Sequence, residues 1–382
     1  MRDRQLTAYL AAMVMWCGLP AFSQAQKFAF PAAAPEVRVT SDILYGRADT
    51  TMLAMDVYQR RHSSSALRPA LVFFNRATGP GRKDAYWVAW ARTAASRDIV
   101  AIIPDLRDGT EANDFRALLD YLMRRGSALG IDTGAVAVYA ASGNVSTAFP
   151  IVEEADLKAI KAAVIYYGSA PITNFRQDLP VLYVRAGLDR PTVNQDITAL
   201  AALAITQNAP VTLLNYPTGY HAFELFNDND ATRAVIEETL AFVTRTTAHA
   251  YQTSLRAGLL EATAAGHVQT GKFHEAASTY AQLVRQRPND PRLALSYGEA
   301  LLGDGQVAPA CAAFAMLRGR GLGPRDLGVP AARACALAGD TVAAIAWLAS
   351  IPSRFRPPTL VNDSAFAGIR SRSDFLALFR SP

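Results

Sequence analysis

A hydroxyl, a carboxylate and an imidazole stand in the chain order Ser142, Asp189, His221, each just past an apolar run. A serine hydroxyl is a weak nucleophile at its own pKa. It needs a base beside it to take the proton, and a third group to orient that base. These three residue types can supply such a unit for attack on an acyl carbon. The serine ends the run Val136-Ala137-Val138-Tyr139-Ala140-Ala141 and is followed by Gly143-Asn144. A nucleophile on a tight strand-to-helix turn needs small residues two before and two after it, because strand and helix approach closely there. Ala140 meets that need; Asn144 does not. Gly143 can offer its backbone N–H to an oxyanion. A helix N-cap is the plainer reading of the same serine.

Elimination points to the base. Of the five histidines, His62 precedes the first central strand, His249 lies in the connection to the C-terminal part, and His267 and His274 lie within that part. His221 alone sits in a loop after a late strand-like run, in Pro217-Thr218-Gly219-Tyr220-His221-Ala222-Phe223. Asp189 ends Val181-Leu182-Tyr183-Val184-Arg185-Ala186-Gly187-Leu188, where a carboxylate can accept the ring N–H and stabilise an imidazolium. Asp196 and Asp228 are rivals, but Asp196 reads as an N-terminal helix residue and Asp228 falls after the histidine.

The elements that position these residues are legible from residue patterning. Short runs rich in Val, Ile and Tyr at 70–75, 99–104, 135–141, 162–167, 180–186 and 211–216 read as strands, several apolar on successive residues as strands buried on both faces require. Helical stretches at 85–96, 111–129, 196–207 and 231–246 lie between them. Strand and helix in alternation give a doubly wound, mostly parallel sheet of α/β class. Segments 37–45 and 52–58 read as an antiparallel hairpin before it.

This pattern with Ser142, Asp189 and His221 resembles the α/β-hydrolase superfamily. Ala186-Gly187-Leu188-Asp189 and Tyr216-Pro217 with His221-Ala222-Phe223 are most similar to its dienelactone hydrolase-like branch. The resemblance covers roughly residues 37–246. It implies Ser142 as nucleophile, Asp189 as acid and His221 as base, in a serine hydrolase acting on carboxylic esters or related acyl compounds without metal or organic cofactor. Dienelactone hydrolases proper carry a cysteine nucleophile, and this chain a serine. Where the family usually has a His-Gly pair, this chain reads Phe73-Phe74-Asn75-Arg76-Ala77. The oxyanion donors implied are then the N–H groups of Gly143 and Arg76. Asn75, Arg107 and Arg190 are candidate substrate contacts on the same loops. Arg76, Arg82, Lys83, Arg107 and Arg190 there would suit an anionic group, although solvated charges paired with Asp84, Asp105 and Asp108 are the plainer account.

Residues 1–25 stand apart. Arg2 and Arg4 precede an apolar stretch to Leu19, and Ser23-Gln24-Ala25 supplies small residues at a cleavage site, which predicts a signal peptide and a periplasmic or secreted protein. The stretch is short for a stable membrane span, although a retained N-terminal anchor is the other reading. The formal net charge of +5 becomes about +4 without this segment. No Lys/Arg block is present, so nucleic-acid binding is not indicated. With 51% hydrophobic and 19% charged residues, the remainder reads as packed globular protein.

We expect a hydrolase-type domain over 26–250 and an all-α helical-hairpin repeat domain over 251–382. In the latter a period of 34 appears: Gly271, Gly305 and Gly339; Ala276, Ala310 and Ala344; Tyr280, Phe314 and Leu348; Ala264, Gly298 and Ala332. This resembles the tetratricopeptide repeat, two antiparallel helices per unit. Phe366, Ile369, Phe375, Leu378 and Phe379 are expected to pack a terminal cap. Cys311 and Cys335 read equally as a bridge or as two buried thiols. The alternative function is a catalytically silent scaffold whose repeats bind a protein partner.

Overall fold

The computed structural model describes residues 29–33, 36–61, 66–75, 81–318 and 322–380. The segment read as a signal peptide lies outside them, as does Arg76. Strands β1 (Val37–Ala48), β2 (Thr51–Arg60), β3 (Arg68–Phe73), β4 (Val100–Pro104), β5 (Ile131–Ala141), β6 (Ile160–Tyr166), β7 (Val181–Ala186) and β8 (Val211–Tyr216) form one sheet in the order β1-β2-β4-β3-β5-β6-β7-β8. β1 and β2 form the expected antiparallel hairpin, β2 runs antiparallel to β4, and all later pairings are parallel.

Successive strand residues point to opposite faces, so both faces of the central strands carry core. Val72, Ile102, Val138, Ile165 and Tyr183 face one layer, and Leu71, Ile103, Tyr139, Val164 and Leu182 the other. Helices α1 (Ala85–Ala95), α2 (Glu111–Arg125), α3 (Val145–Val152) and α4 (Pro191–Thr206) lie between strands, and α5 (Phe223–Phe226) and α6 (Asp230–Thr247) follow β8. Phe115 and Leu118 of α2, Phe149 of α3 and Ile197 of α4 cover the first face; Trp90 of α1 and Ile236 and Leu240 of α6 cover the second.

Two elements depart from expectation. α3 carries Pro150 inside an apolar octapeptide and shows no helical signature in the sequence. α4 begins at Pro191, not at 196: proline is tolerated in a first turn, where its missing N–H costs nothing. Asp196 is therefore not a helix-start residue; it lies in the second turn and accepts from Ser169 Oγ at 3.1 Å.

α6 and the next helix are separated by Ala248 alone, so position 250/251 falls within a helix. From there the chain is helical: α7 (His249–Gln269), α8 (Phe273–Gln286), α9 (Pro291–Gly303), α10 (Val307–Ala315), α11 (Pro324–Leu337) and α12 (Thr341–Ser350) pack each against the next. Gly271, Gly305 and Gly339 all adopt left-handed backbone, φ +72°, +74° and +83°, in the turns after α7, α9 and α11. That conformation favours glycine and accounts for its recurrence every 34 residues. The alanine columns and Tyr280, Phe314 and Leu348 are buried between helices, and a Cβ on Gly298 would meet Phe314 at 2.8 Å. A disulfide joins Cys311 of α10 to Cys335 of α11. Phe366, Ile369 and α13 (Ser373–Ala377), with Phe375, close the end of the stack. Among the described residues no helix is long and apolar enough to cross a membrane.

Two predictions arise from this architecture. Glu153, at the end of α3, accepts from the Arg176 N–H at 2.6 Å through one oxygen, and the other has no partner among the described residues. Burial pushes its pKa up to about 7 against the neighbouring Arg176, which pulls it down. A carboxyl with a raised folded pKa holds its proton more tightly folded than unfolded, so stability falls as pH rises through the interval from about 4.5 to about 7. Melting temperature should therefore drop between pH 5 and pH 8, and Glu153→Gln should shrink that drop; an unchanged drop refutes the assignment. Reducing the Cys311–Cys335 bridge, which closes a separation of 24 residues, should cost ~3 kcal/mol, read as an earlier thermal transition under reductant.

Candidate active site

Ser142 follows β5 directly. Ala141 is still extended, with φ −133° and ψ 148°, and Ser142 turns to φ +54° before the chain enters α3 through a short 3-10 turn. This backbone lifts the hydroxyl out of the strand's side-chain rows. Seven non-glycine residues have positive φ among the described residues. Four are Asp or Asn, which tolerate this region through local hydrogen bonds. The other three are Ser142, Tyr167 (φ +31°) and Ala222 (φ +56°), and all three lie in or against one site. Such strain costs on the order of 1–3 kcal/mol per residue and persists only where surrounding contacts impose it.

Gly168 makes room for the turn. A Cβ there would lie 2.6 Å from the Ser142 carbonyl oxygen and 2.7 Å from the Val145 side chain. The Gly168 carbonyl is fixed by Tyr183 Oη at 2.6 Å. The close approach thus comes from the end of β6, and Asn144 stands half-buried at the cavity wall. Sequence reasoning missed Gly168, because a lone glycine after a strand does not say which distant segment it clears.

The three chemistry-bearing side chains converge. His221 Nε2 lies 2.7 Å from Ser142 Oγ, and His221 Nδ1 lies 2.6 Å from Asp189 Oδ2. A carboxylate oxygen accepts and does not donate, so the 2.6 Å contact calls for the ring proton on Nδ1, which would leave the Nε2 lone pair facing the serine hydroxyl. The Asp189 side chain is 1% exposed, and its second oxygen accepts the Arg190 backbone N–H at 2.7 Å. The Asp189 and His221 loops meet because Gly187 lies against the Pro217 backbone, too close for any side chain, and its N–H donates to Tyr216 O at 2.7 Å. Asn194 Nδ2 further holds the Gly187 carbonyl.

A polar cavity of about 280 Å³ opens at the serine, lined by Gly81, Asp84, Trp87, Ala141, Ser142, Gly143 and Asn144. Gly143 belongs to the first turn entering α3, where helical N–H groups lack an intrahelical partner. A wider groove of about 650 Å³ touches Asp189 and α4, but neither Ser142 nor His221 lines it.

Asn75, Arg107 and Arg190 do not line the serine cavity, and each has another engagement. With its amide oriented so that nitrogen faces the two carbonyls, buried Asn75 donates to Pro104 O (2.9 Å) and Phe73 O (3.2 Å), tying the ends of β3 and β4. Arg107 is forked onto Asp114 at 2.7 and 2.9 Å. The exposed Arg190 guanidinium lies 3.8 Å from Asp189. Arg82 likewise engages Asp42, Asp56 and Asp105, and Lys83 bonds Asp56 at 2.8 Å. Burial pulls the Asp56 carboxyl upward, but Lys83, the Asp42 N–H and Arg82 outweigh it and hold it below its ordinary value. Of the aspartates expected to pair with these cations, Asp105 does so with Arg82, whereas Asp84 caps α1 through the Tyr86 N–H.

The fold is that of an α/β-hydrolase. The sheet order, the antiparallel second strand and the serine turn after β5 carry that assignment. No protein-family model matches the sequence, and no curated protein does. Among solved structures the chain is similar to MGS-M1, an α/β hydrolase enzyme from a Medee basin deep-sea metagenome library (15% identity, 56% of this chain and 98% of that one, TM-score 0.47). It is also similar to brefeldin A esterase, a bacterial homologue of human hormone sensitive lipase (14%, 61% and 80%, 0.48). A third is one of two fungal esterases from Rhizomucor miehei (14%, 56% and 85%, 0.46).

If Gly168 is what admits the serine turn, Gly168→Ala should destabilise the protein by ~1–3 kcal/mol, as overpacking of a tight site does. Gly258→Ala, where a Cβ meets nothing within 4 Å, should not. Thermal denaturation of the two variants checks this.

Proposed function

We propose that the chain is an exported serine hydrolase acting on small carboxylic esters or related acyl compounds. The observation that carries this reading is the unbroken relay from Ser142 Oγ through His221 to Asp189, at 2.7 and 2.6 Å. Ser142 Oγ attacks the acyl carbon while its proton passes to His221 Nε2, and Asp189 stabilises the imidazolium. The carbonyl electrons move onto oxygen, which the Gly143 N–H and the Arg76 N–H receive as oxyanion donors. Collapse of the intermediate expels the alcohol, which takes the proton from Nε2. Water, deprotonated by the same imidazole, then releases the acid and restores the serine. No step requires a cofactor.

The small polar cavity, walled by Trp87 and Asp84, favours short acyl groups over fatty ones. The predicted leader and the Cys311–Cys335 bridge both suit an oxidising compartment, periplasmic or extracellular. Within the superfamily we assign the chain to the dienelactone hydrolase-like branch, on the residues around Asp189 and His221 and with serine as nucleophile. The relay weighs against a silent scaffold; the helical repeats are the surface we assign to any protein partner.

Hydrolysis of p-nitrophenyl esters tests the proposal. Acetate should turn over faster than octanoate, and Ser142→Ala should lower turnover by ~10⁴-fold or more. A folded wild-type chain no faster than Ser142→Ala on any of these esters would refute the reading.

A further inference from the structure

Three residues after His221, Glu224 is buried without a cation: among the described residues no Lys or Arg reaches it. Its carboxyl instead gathers three phenols from three other segments. Tyr86 Oη of α1 lies 3.0 Å and Tyr139 Oη of β5 3.1 Å from Oε1, and Tyr167 Oη, just past β6, lies 3.1 and 3.0 Å from the two oxygens. Tyr86 Oη also lies 2.9 Å from Tyr139 Oη and 3.2 Å from Tyr167 Oη, so the hydroxyls form one network around the acid. The Ala29 N–H fixes the Glu224 backbone carbonyl at 2.9 Å. A buried carboxyl is costly unless its oxygens are satisfied, and an apolar residue would fill this space at less cost. Burial drives the Glu224 pKa up, and its own backbone N–H and the three hydroxyls pull it back only in part. A costly group kept beside a reactive site calls for a role there.

Tyr167 supplies the connection. Its ring centroid lies 4.8 Å from that of the His221 imidazole, at an interplanar angle of 57°. It is one of the three strained non-Asx residues at the site, φ +31°, and the next residue is Gly168, under the serine turn. Hydrogen bonds fix the two imidazole nitrogens but leave the ring free to rock about the line between them. The Tyr167 ring packed beside it limits that freedom, and that ring is itself held by Tyr166 and Phe223, at 5.5 and 5.6 Å between centroids, and by its anchored hydroxyl.

We propose that Glu224, acting through Tyr167, holds the His221 imidazole in register with Ser142, making both positioning residues of the hydrolytic site. This rests on the serine hydrolase reading above. The other two tyrosines carry the anchor into the nucleophile strand and the cavity wall, so one buried acid sets serine, base and pocket against each other.

The test uses the full chain with Tyr167→Phe, which keeps the ring and removes the anchor, and Glu224→Gln as a near-isosteric second variant. Tyr166→Phe is the control: it removes an equally buried hydroxyl, bonded to Thr239 at 2.6 Å, that touches neither Glu224 nor His221. The inference predicts that Tyr167→Phe and Glu224→Gln each lower kcat for p-nitrophenyl acetate about 10-fold with KM changed by less than about twofold. Tyr166→Phe should leave both nearly unchanged. In ¹⁵N NMR the His221 ring signals should shift or broaden in the first two variants and not in the third. Ser142-dependent turnover with kcat unchanged in both variants would overturn this inference and leave the hydrolase reading standing. Absence of turnover in the wild type would overturn that reading instead. The His221 signals would then decide the positioning role: unmoved signals in Tyr167→Phe would refute it, and shifted ones would support it.

Discussion

A serine held in left-handed backbone at the end of β5 is the constraint on which the rest of the site depends. An L-residue does not stay at φ +54° unaided, so neighbours must leave it no alternative. β5 delivers the chain in extended form, α3 begins three residues later, and Gly168 lies flat against the Ser142 carbonyl. The turn thus depends on a segment 26 residues away in sequence, and that dependence extends outward. Gly168 is fixed by Tyr183 of β7, and its neighbour Tyr167 backs the histidine. The strained serine, the Asp189 strand and the His221 loop are therefore parts of a single packing arrangement.

The parallel sheet explains why these parts meet. In an open α/β sheet the loops after parallel strands emerge at one edge. Ser142, Tyr167, Asp189 and His221 follow β5, β6, β7 and β8 in turn. Four adjacent strands thus contribute one residue each, and the strand spacing of about 5 Å is what their side chains must bridge. Contact between the Asp189 and His221 loops requires that Gly187 have no side chain. The charges on the neighbouring loops serve a different purpose. Arg82 and Lys83 pair with Asp42, Asp56 and Asp105 and hold the β1–β2 hairpin and the end of β4 together, and Arg107 pairs with buried Asp114 of α2.

Much of this was legible in the sequence for definite physical reasons. Residue order and the positions past apolar runs picked out Ser142, Asp189 and His221, and each of these cues is local. The 34-residue spacing of Gly271, Gly305 and Gly339 was legible because a left-handed turn between helices selects glycine repeatedly. What stayed hidden depends on contacts between distant segments. Nothing local in the sequence marks Glu224; Tyr86, Tyr139 and Tyr167 reach it from 138, 85 and 57 residues away. Gly168 reads as a strand-end glycine. Pro150 masks α3, and Pro191 masks the start of α4, because proline punctuates a pattern whether it sits inside a helix or opens one. Asn75 and Arg107 were picked out as substrate contacts by loop position, but position does not tell which loop polar groups the sheet and its helices need.

In the proposed reaction His221 activates Ser142 as a nucleophile. Reaction of the folded chain with a fluorophosphonate, mapped by mass spectrometry, measures that directly. One rapid adduct is expected, on Ser142, absent from Ser142→Ala and slowed by several orders of magnitude in His221→Ala. No adduct on the folded wild-type chain, or labelling of Ser142 that is equally fast without His221, would contradict it.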